Sequence, residues 1–150
     1  MSVRKALKAG SPLVGSARPG KQALKGVDRG RIVESASRVI DSMDLDAATQ
    51  KTHGNENRWD YLLGTTRSNL SLIAVEVHEA NTGEAKVIVA KKRAAQEVLR
   101  SHLDQGETVK RWYWVASGKT RVTRGTPESR QLDLAGIVLV GSRLKIDDEE

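Results

Sequence analysis

Apolar residues along the chain switch from a helical to a strand-like period near residue 58. Ile32, Val33, Ala36, Val39, Ile40 and Met43 recur at helical spacing behind Asp28, a good N-cap, so the pattern predicts an amphipathic helix over 28–43. Glu34 and Arg38 form an i,i+4 pair on its other face. A polar, turn-rich stretch at 46–57 follows. Strands are then expected at 58–63, 70–79 and 85–89, the last two joined through an Asn81-Thr82-Gly83 hairpin turn. Ala94, Ala95, Val98, Leu99 and Leu103 predict a helix over 91–103, and residues 110–116 a fourth strand. Thr126 as N-cap, Pro127 at the first helical position and Gly136 as the stop bound a helix at 127–135. Short β segments at 137–140 and 143–146 close the chain. The expected class is α/β, with an αβββαβ core in three layers around a mixed sheet.

Residues 1–27 show no sustained apolar period and are rich in Gly, Ser, Ala and Lys, a composition predicting a disordered arm. Charge sharpens this division. Arg4, Lys5, Lys8, Arg18, Lys21, Lys25, Arg29 and Arg31 face one acid, giving the first 31 residues +7, whereas the remainder carries −1. Three readings of the arm follow: a phosphate-binding segment for nucleic acid, an organelle transit peptide, or a solubilising tail. The expected organisation is a basic arm at 1–27, one α/β domain at 28–146 and a solvated acidic tail at 147–150.

Composition narrows the function classes further. No run reaches the roughly 18 apolar residues that a membrane-spanning helix needs. There is no cysteine, so disulfide-linked partners, thiolate zinc sites and cysteine nucleophiles are excluded, and a cytoplasmic location is expected. Ser117-Gly118-Lys119-Thr120 is no phosphate loop, because Tyr113 stands where the required glycine would be. Trp59, Tyr61, Trp112, Tyr113 and Trp114 are expected mainly in the core.

Candidate chemistry lies where polar residues interrupt apolar strands. Alternation puts Leu72, Ala74, Glu76 and His78 on one face of the 70–79 strand. A carboxylate there is costly unless paired, solvated in a cleft or bound to a cation. Asp60 alternates with Trp59 and Tyr61, so it points away from both and toward Glu76 if the two strands pair. Two such carboxylates suit Mg²⁺ or Mn²⁺. Lys91, in the first turn of the predicted 91–103 helix, falls on the sheet-facing arc. The competing reading is structural: Asp60 paired with Arg58 or Arg67, Glu76 with Lys86 or Arg111, and His78 a satisfied histidine.

The element order, with Asp60 followed 16 residues later by Glu76-Val77-His78, resembles the PD-(D/E)xK nuclease superfamily over roughly residues 28–116. The resemblance implies a restriction-endonuclease-like core and Mg²⁺- or Mn²⁺-dependent cleavage of nucleic acid phosphodiesters. Asp60 and Glu76 would be metal ligands, with His78 or Lys91 as further catalytic groups. Two departures stand out: His78 occupies the lysine position, making Lys91 a migrated substitute, and Asp60 falls on the first predicted strand rather than the second. Asn57-Arg58-Trp59-Asp60-Tyr61 with Val75–His78 is also similar to a group of small bacterial proteins, a likeness implying no activity. The alternative function is a non-catalytic module for nucleic acid or a partner protein, as an accessory or immunity subunit.

Overall fold

The computed structural model describes residues 1–50, 58–81, 83–118 and 122–149. Part of the 46–57 stretch, Thr82 of the expected hairpin, Lys119 and Thr120, and Glu150 of the tail therefore lie outside the described residues. The architecture is mixed α/β, built on a six-stranded sheet.

The short helix α1 (Val3–Ala6), a 3-10 turn at Pro12–Ser16, strand β1 (Ala17–Pro19) and the short helix α2 (Gly26–Arg29) open the chain. Next come β2 (Ile32–Val33), β3 (Val39–Asp44), α3 (Leu45–Thr49), β4 (Tyr61–Thr65) and β5 (Leu72–His78). The long helix α4 (Glu84–His102), β6 (Arg111–Ala116), α5 (Pro127–Ala135), β7 (Ile137–Val140) and β8 (Leu144–Lys145) complete it. The main sheet has the order β1-β3-β4-β5-β6-β7, antiparallel as far as β5 and parallel from β5 to β7. β2 and β8 pair in a separate parallel ribbon.

Two cores flank the sheet. On one face Leu62, Leu72, Ala74, Trp112 and Trp114 pack against Ile88, Ala95 and Leu99 of α4 and Leu132 of α5. On the other, Tyr61, Leu63, Ile73, Val75, Tyr113 and Val115 meet Leu24, Ile32, Leu144 and Ile146. All five aromatics are buried, as expected. Trp59 and Trp112 stack edge to face, ring centroids 5.0 Å apart. Trp59 thus sits on the α4 side while Tyr61 faces the other core, so the strand alternation assumed for these two fails at the entry to β4.

Three expectations give way, each for a physical reason. The helix at 28–43 is replaced by β2 and β3. Val39 and Asp41 are buried with Ile40 exposed between them, a period of two that overlaps the helical one over so few residues. Ser35, Ser37, Asp41 and Ser42 are poor helix formers, and Glu34 accepts from the Val39 N–H at 2.8 Å instead of pairing with Arg38. The strand at 85–89 is the start of α4. Val87-Ile88-Val89 looks strand-like in isolation, but Ala85, Ile88, Ala95 and Leu99 form one buried helical stripe. Gly83 takes φ 91° at the N-cap, turning the chain directly from β5 into the helix.

The disordered arm is the third. Val3, Ala6, Leu7, Leu13, Ala17 and Leu24 are all buried, so residues 1–27 belong to the fold. Buried Asp41 caps α1, its Oδ1 accepting from the Val3 N–H at 2.7 Å and Oδ2 from the Arg4 N–H at 3.1 Å. Sparse apolar positions hid this, because the segment is held by backbone bonds as much as by side chains. The acidic tail is likewise partly engaged: Asp147 accepts from the Ser37 N–H at 2.9 Å.

Helix α5 matches its predicted limits, with the Thr126 hydroxyl accepting from the Ser129 N–H at 3.2 Å and Gly136 closing it at φ 72°. β6 and β7 also lie where the sequence puts them.

Candidate metal and phosphodiester site

β4 and β5 pair antiparallel with Tyr61 opposite Val75, so the next step of the register sets Asp60 opposite Glu76. The two residues interlock. The Asp60 N–H donates to Glu76 Oε1 at 3.0 Å, and Asp60 Oδ2 accepts from the Val77 N–H at 2.9 Å. Because β3 precedes β4, Asp60 stands at the mouth of the second strand of the antiparallel β3-β4-β5 meander.

Lys91 lies two turns into α4 rather than in its first turn, so the helix dipole does not bear on it. It reaches down from the helix and donates to Glu76 Oε2 at 2.6 Å. Glu76 is fully buried and Asp60 half-buried. The partners named for Asp60 in the structural reading bond to other groups among the described residues: Arg58 pairs with Asp46 at 2.6 Å, and Arg67 binds Asn69 and the Ile146 carbonyl.

The electrostatics follow from this packing. Burial, then the charge of Asp60, push Glu76 up to about 8 against the pull of the Lys91 ammonium and the Asp60 N–H. Burial lifts Asp60 to about 6, partly offset by the Val77 N–H and Lys91. Burial works against the Lys91 ammonium, yet Glu76 above all, with Asp60 and Asp46, outweighs it and raises its pKa.

Two further acids bear on the site. Asp46 in α3 and Asp28 in α2 both make Asp60 harder to ionise. Asp28 accepts from the Tyr61 hydroxyl at 2.5 Å, and burial together with Asp28 pushes that phenol well up. Sequence reasoning assigned Asp28 to a cap and Asp46 to a loop. No spacing pattern links them to Asp60, and only the fold of 28–46 brings their charges to bear.

His78 stands apart from this cluster. Its Nε2 lies 2.8 Å from Glu84 Oε2, tying the end of β5 to the first turn of α4. The eight basic residues expected to bind nucleic acid, six of them on a disordered arm, are instead spread along the folded N-terminal segment. Arg18, Lys21, Arg29 and Arg31 bind backbone carbonyls of that segment or of residues 116 and 142, which fastens them. Arg4, Lys5, Lys8 and Lys25 are exposed.

No helix among the described residues is long and apolar enough to cross a membrane. Comparison with protein-family models, with curated proteins and with solved structures finds nothing that matches this chain.

Proposed function

We propose that Asp60, Glu76 and Lys91 form a divalent-metal-dependent site for cleaving nucleic acid phosphodiesters, on a core of the PD-(D/E)xK kind. The observation that carries this reading is the interlocked carboxylate pair on adjacent strands with one amine above it. Such a pair is costly in isolation, and a hard dication is the partner that makes both charges favourable. The meander β3-β4-β5 followed by α4 and β6 also supports it, since Asp60 then precedes the second strand, the position the resemblance calls for.

The donor set fits Mg²⁺ or Mn²⁺. Asp60 Oδ1 has no hydrogen-bond partner among the described residues, and the acids bearing on the site (Asp28, Asp46, Asp60, Glu76) outnumber Lys91 and Arg58. No group of three or more side-chain ligands occurs among the described residues. Mg²⁺ needs only one or two carboxylates, taking water and phosphate oxygens for the rest. A bound dication supplies an acidified water and charge neutralisation at the phosphate. Asp60 and Glu76 would hold it, and Lys91, released from part of its bond to Glu76, would donate to a phosphate oxygen. His78, held by Glu84, lines the strand end rather than the carboxylate pair.

A second reading has its own support: both Glu76 oxygens are already bonded, so the ion pair with Lys91 can serve to fasten α4 to the sheet. The chain would then be a non-catalytic binding module, meeting nucleic acid or a protein through exposed Arg4, Lys5, Lys8 and Lys25. Calorimetric titration with Mn²⁺ separates the two. The metal-site reading expects saturable binding in the wild type that Asp60→Asn abolishes without loss of fold; no binding in either protein favours the module.

A further inference from the structure

β1, β3 and α3 enclose a cleft of about 310 Å³ at the end of the sheet where β4 begins, the lower limit for a small-ligand site. Arg18 is opposite Ser42 in the β1–β3 ladder and Asp44 follows two residues on, so both stand on one face as diagonal neighbours. Both line the cleft, yet neither makes an ion pair among the described residues. Each is held through part of its functional group. Arg18 Nη1 donates to the Gly15 carbonyl at 2.7 Å and the Ala17 carbonyl at 3.0 Å. Asp44 Oδ1 accepts from the Ala47 N–H at 2.9 Å as the N-cap of α3. A guanidinium edge and a carboxylate edge thus remain on one cleft, beside the methyl groups of Ala23, Ala47 and Ala48. The cleft also adjoins the carboxylate pair. Asp44 is opposite Tyr61, the residue after Asp60, and the Leu45 and Asp46 N–H groups donate to the Asp60 carbonyl at 2.8 and 3.3 Å. Asp60 feels Lys91 from the α4 side and Asp28 from the Tyr61 side, so it lies at the rim between the two faces. A strand rounding that rim passes from one site to the other.

We propose that this cleft receives one base of the substrate strand beside the scissile phosphate and selects guanine, an inference that rests on the nucleic acid reading above. A phosphate in the cleft would be drawn by Arg18 but repelled by Asp44. A neutral base with donors on one edge and acceptors on another satisfies both side chains. Guanine does so with two groups on each edge: O6 and N7 for the guanidinium, N1–H and the 2-amino group for the carboxylate. Adenine, cytosine and thymine each present a single donor group, so none of them matches both side chains twice over. Asp44 Oδ1 keeps a lone pair beyond the one that caps α3, which leaves both carboxylate oxygens able to accept.

Fluorescence anisotropy of the full chain in EDTA tests this, using labelled single-stranded octamers of thymine (DNA) or uracil (RNA). Each carries one central guanine, adenine, cytosine or hypoxanthine, and circular dichroism checks that the variants fold. The guanine octamer should bind roughly tenfold or more tightly than those with adenine or cytosine. Hypoxanthine, which lacks the 2-amino group, should fall between them. Arg18→Gln and Asp44→Asn should each erase most of the preference, and asparagine keeps the cap of α3 intact. Equal affinity for every octamer, binding of none, or a guanine preference that survives both variants overturns the proposal. Because binding is read without metal, guanine selection without cleavage would sink only the catalytic reading, and cleavage without selection only this one.

Discussion

Lys91 on α4 sets its Nζ 2.6 Å from Oε2 of Glu76, a carboxylate with no exposed surface in the central sheet. The pair joins the longest helix to the strand that carries the candidate chemistry, and Asp60 shares the same electrostatic environment. Removing one partner of a buried pair leaves the other without compensation, whereas removing both does not.

Lys91→Met should therefore destabilise the fold by about 1–3 kcal/mol, because Glu76 must stay buried without its cation. Glu76→Gln/Lys91→Met should recover much of that loss, since a neutral amide can still accept from the Asp60 N–H. Urea unfolding of the two single variants and the double gives the coupling directly. Strictly additive losses would contradict a paired role.

The raised pKa values of Asp60 and Glu76 set a pH dependence of definite sign. Asp60 and Glu76 bind protons more tightly folded, at about 6 and about 8, than at their ordinary 3.8 and 4.5. Folding then takes up protons, so their contribution is fully present below the ordinary values and is lost as pH climbs through 6 and then 8. Without metal, the stability gap between wild type and Asp60→Asn/Glu76→Gln should move in the variant's favour over that interval. Protons compete with a dication for the same oxygens, so stabilisation by Mg²⁺ should grow as pH rises. Thermal melts with and without Mg²⁺ read both trends; a metal effect that shrinks with pH would count against carboxylate ligation.

At Gly64 the beginning of the chain crosses β4. A Cβ there would lie 2.7 Å from the Met1 carbonyl oxygen, 2.7 Å from Ser2 Cα and 2.5 Å from Asp41 Oδ1. Two of these are backbone atoms. Gly64→Ala should cost about 1–3 kcal/mol through overpacking. Deleting residues 1–8 removes Val3, Ala6 and Leu7 from the core and should lower the melting temperature sharply. A deletion variant that melts like the full chain would return this segment to the role of a loose arm.

What could be read from the sequence depended on how local the controlling interactions were. The caps of α5 sit inside its own segment, and β6 is a contiguous apolar run, so both emerge from short windows. The strand β3 does not: its Ser42 hydroxyl accepts from the Ala23 N–H, and Asp41 serves α1 from 37 and 38 residues away. Such partners are invisible to a periodicity. The candidate site shows the same split. Pairing of the two strands in sequence order brought Asp60 to Glu76, and helical phase turned Lys91 toward the sheet. Asp28 and Asp46 depended on the path of the whole N-terminal third, and the pull of Glu84 on His78 required knowing that α4 starts seven residues before the predicted helix.

The most direct measurement is cleavage of a panel of single- and double-stranded DNA and RNA by the wild-type chain with Mg²⁺ or Mn²⁺, run beside Asp60→Asn. Electrostatic and metal-held groups each contribute on the order of a hundredfold or more to such rates. The account predicts cleavage that EDTA stops, and a fall of at least about a hundredfold in folded Asp60→Asn. Absence of metal-dependent cleavage across the panel, or equal cleavage by Asp60→Asn, would contradict it.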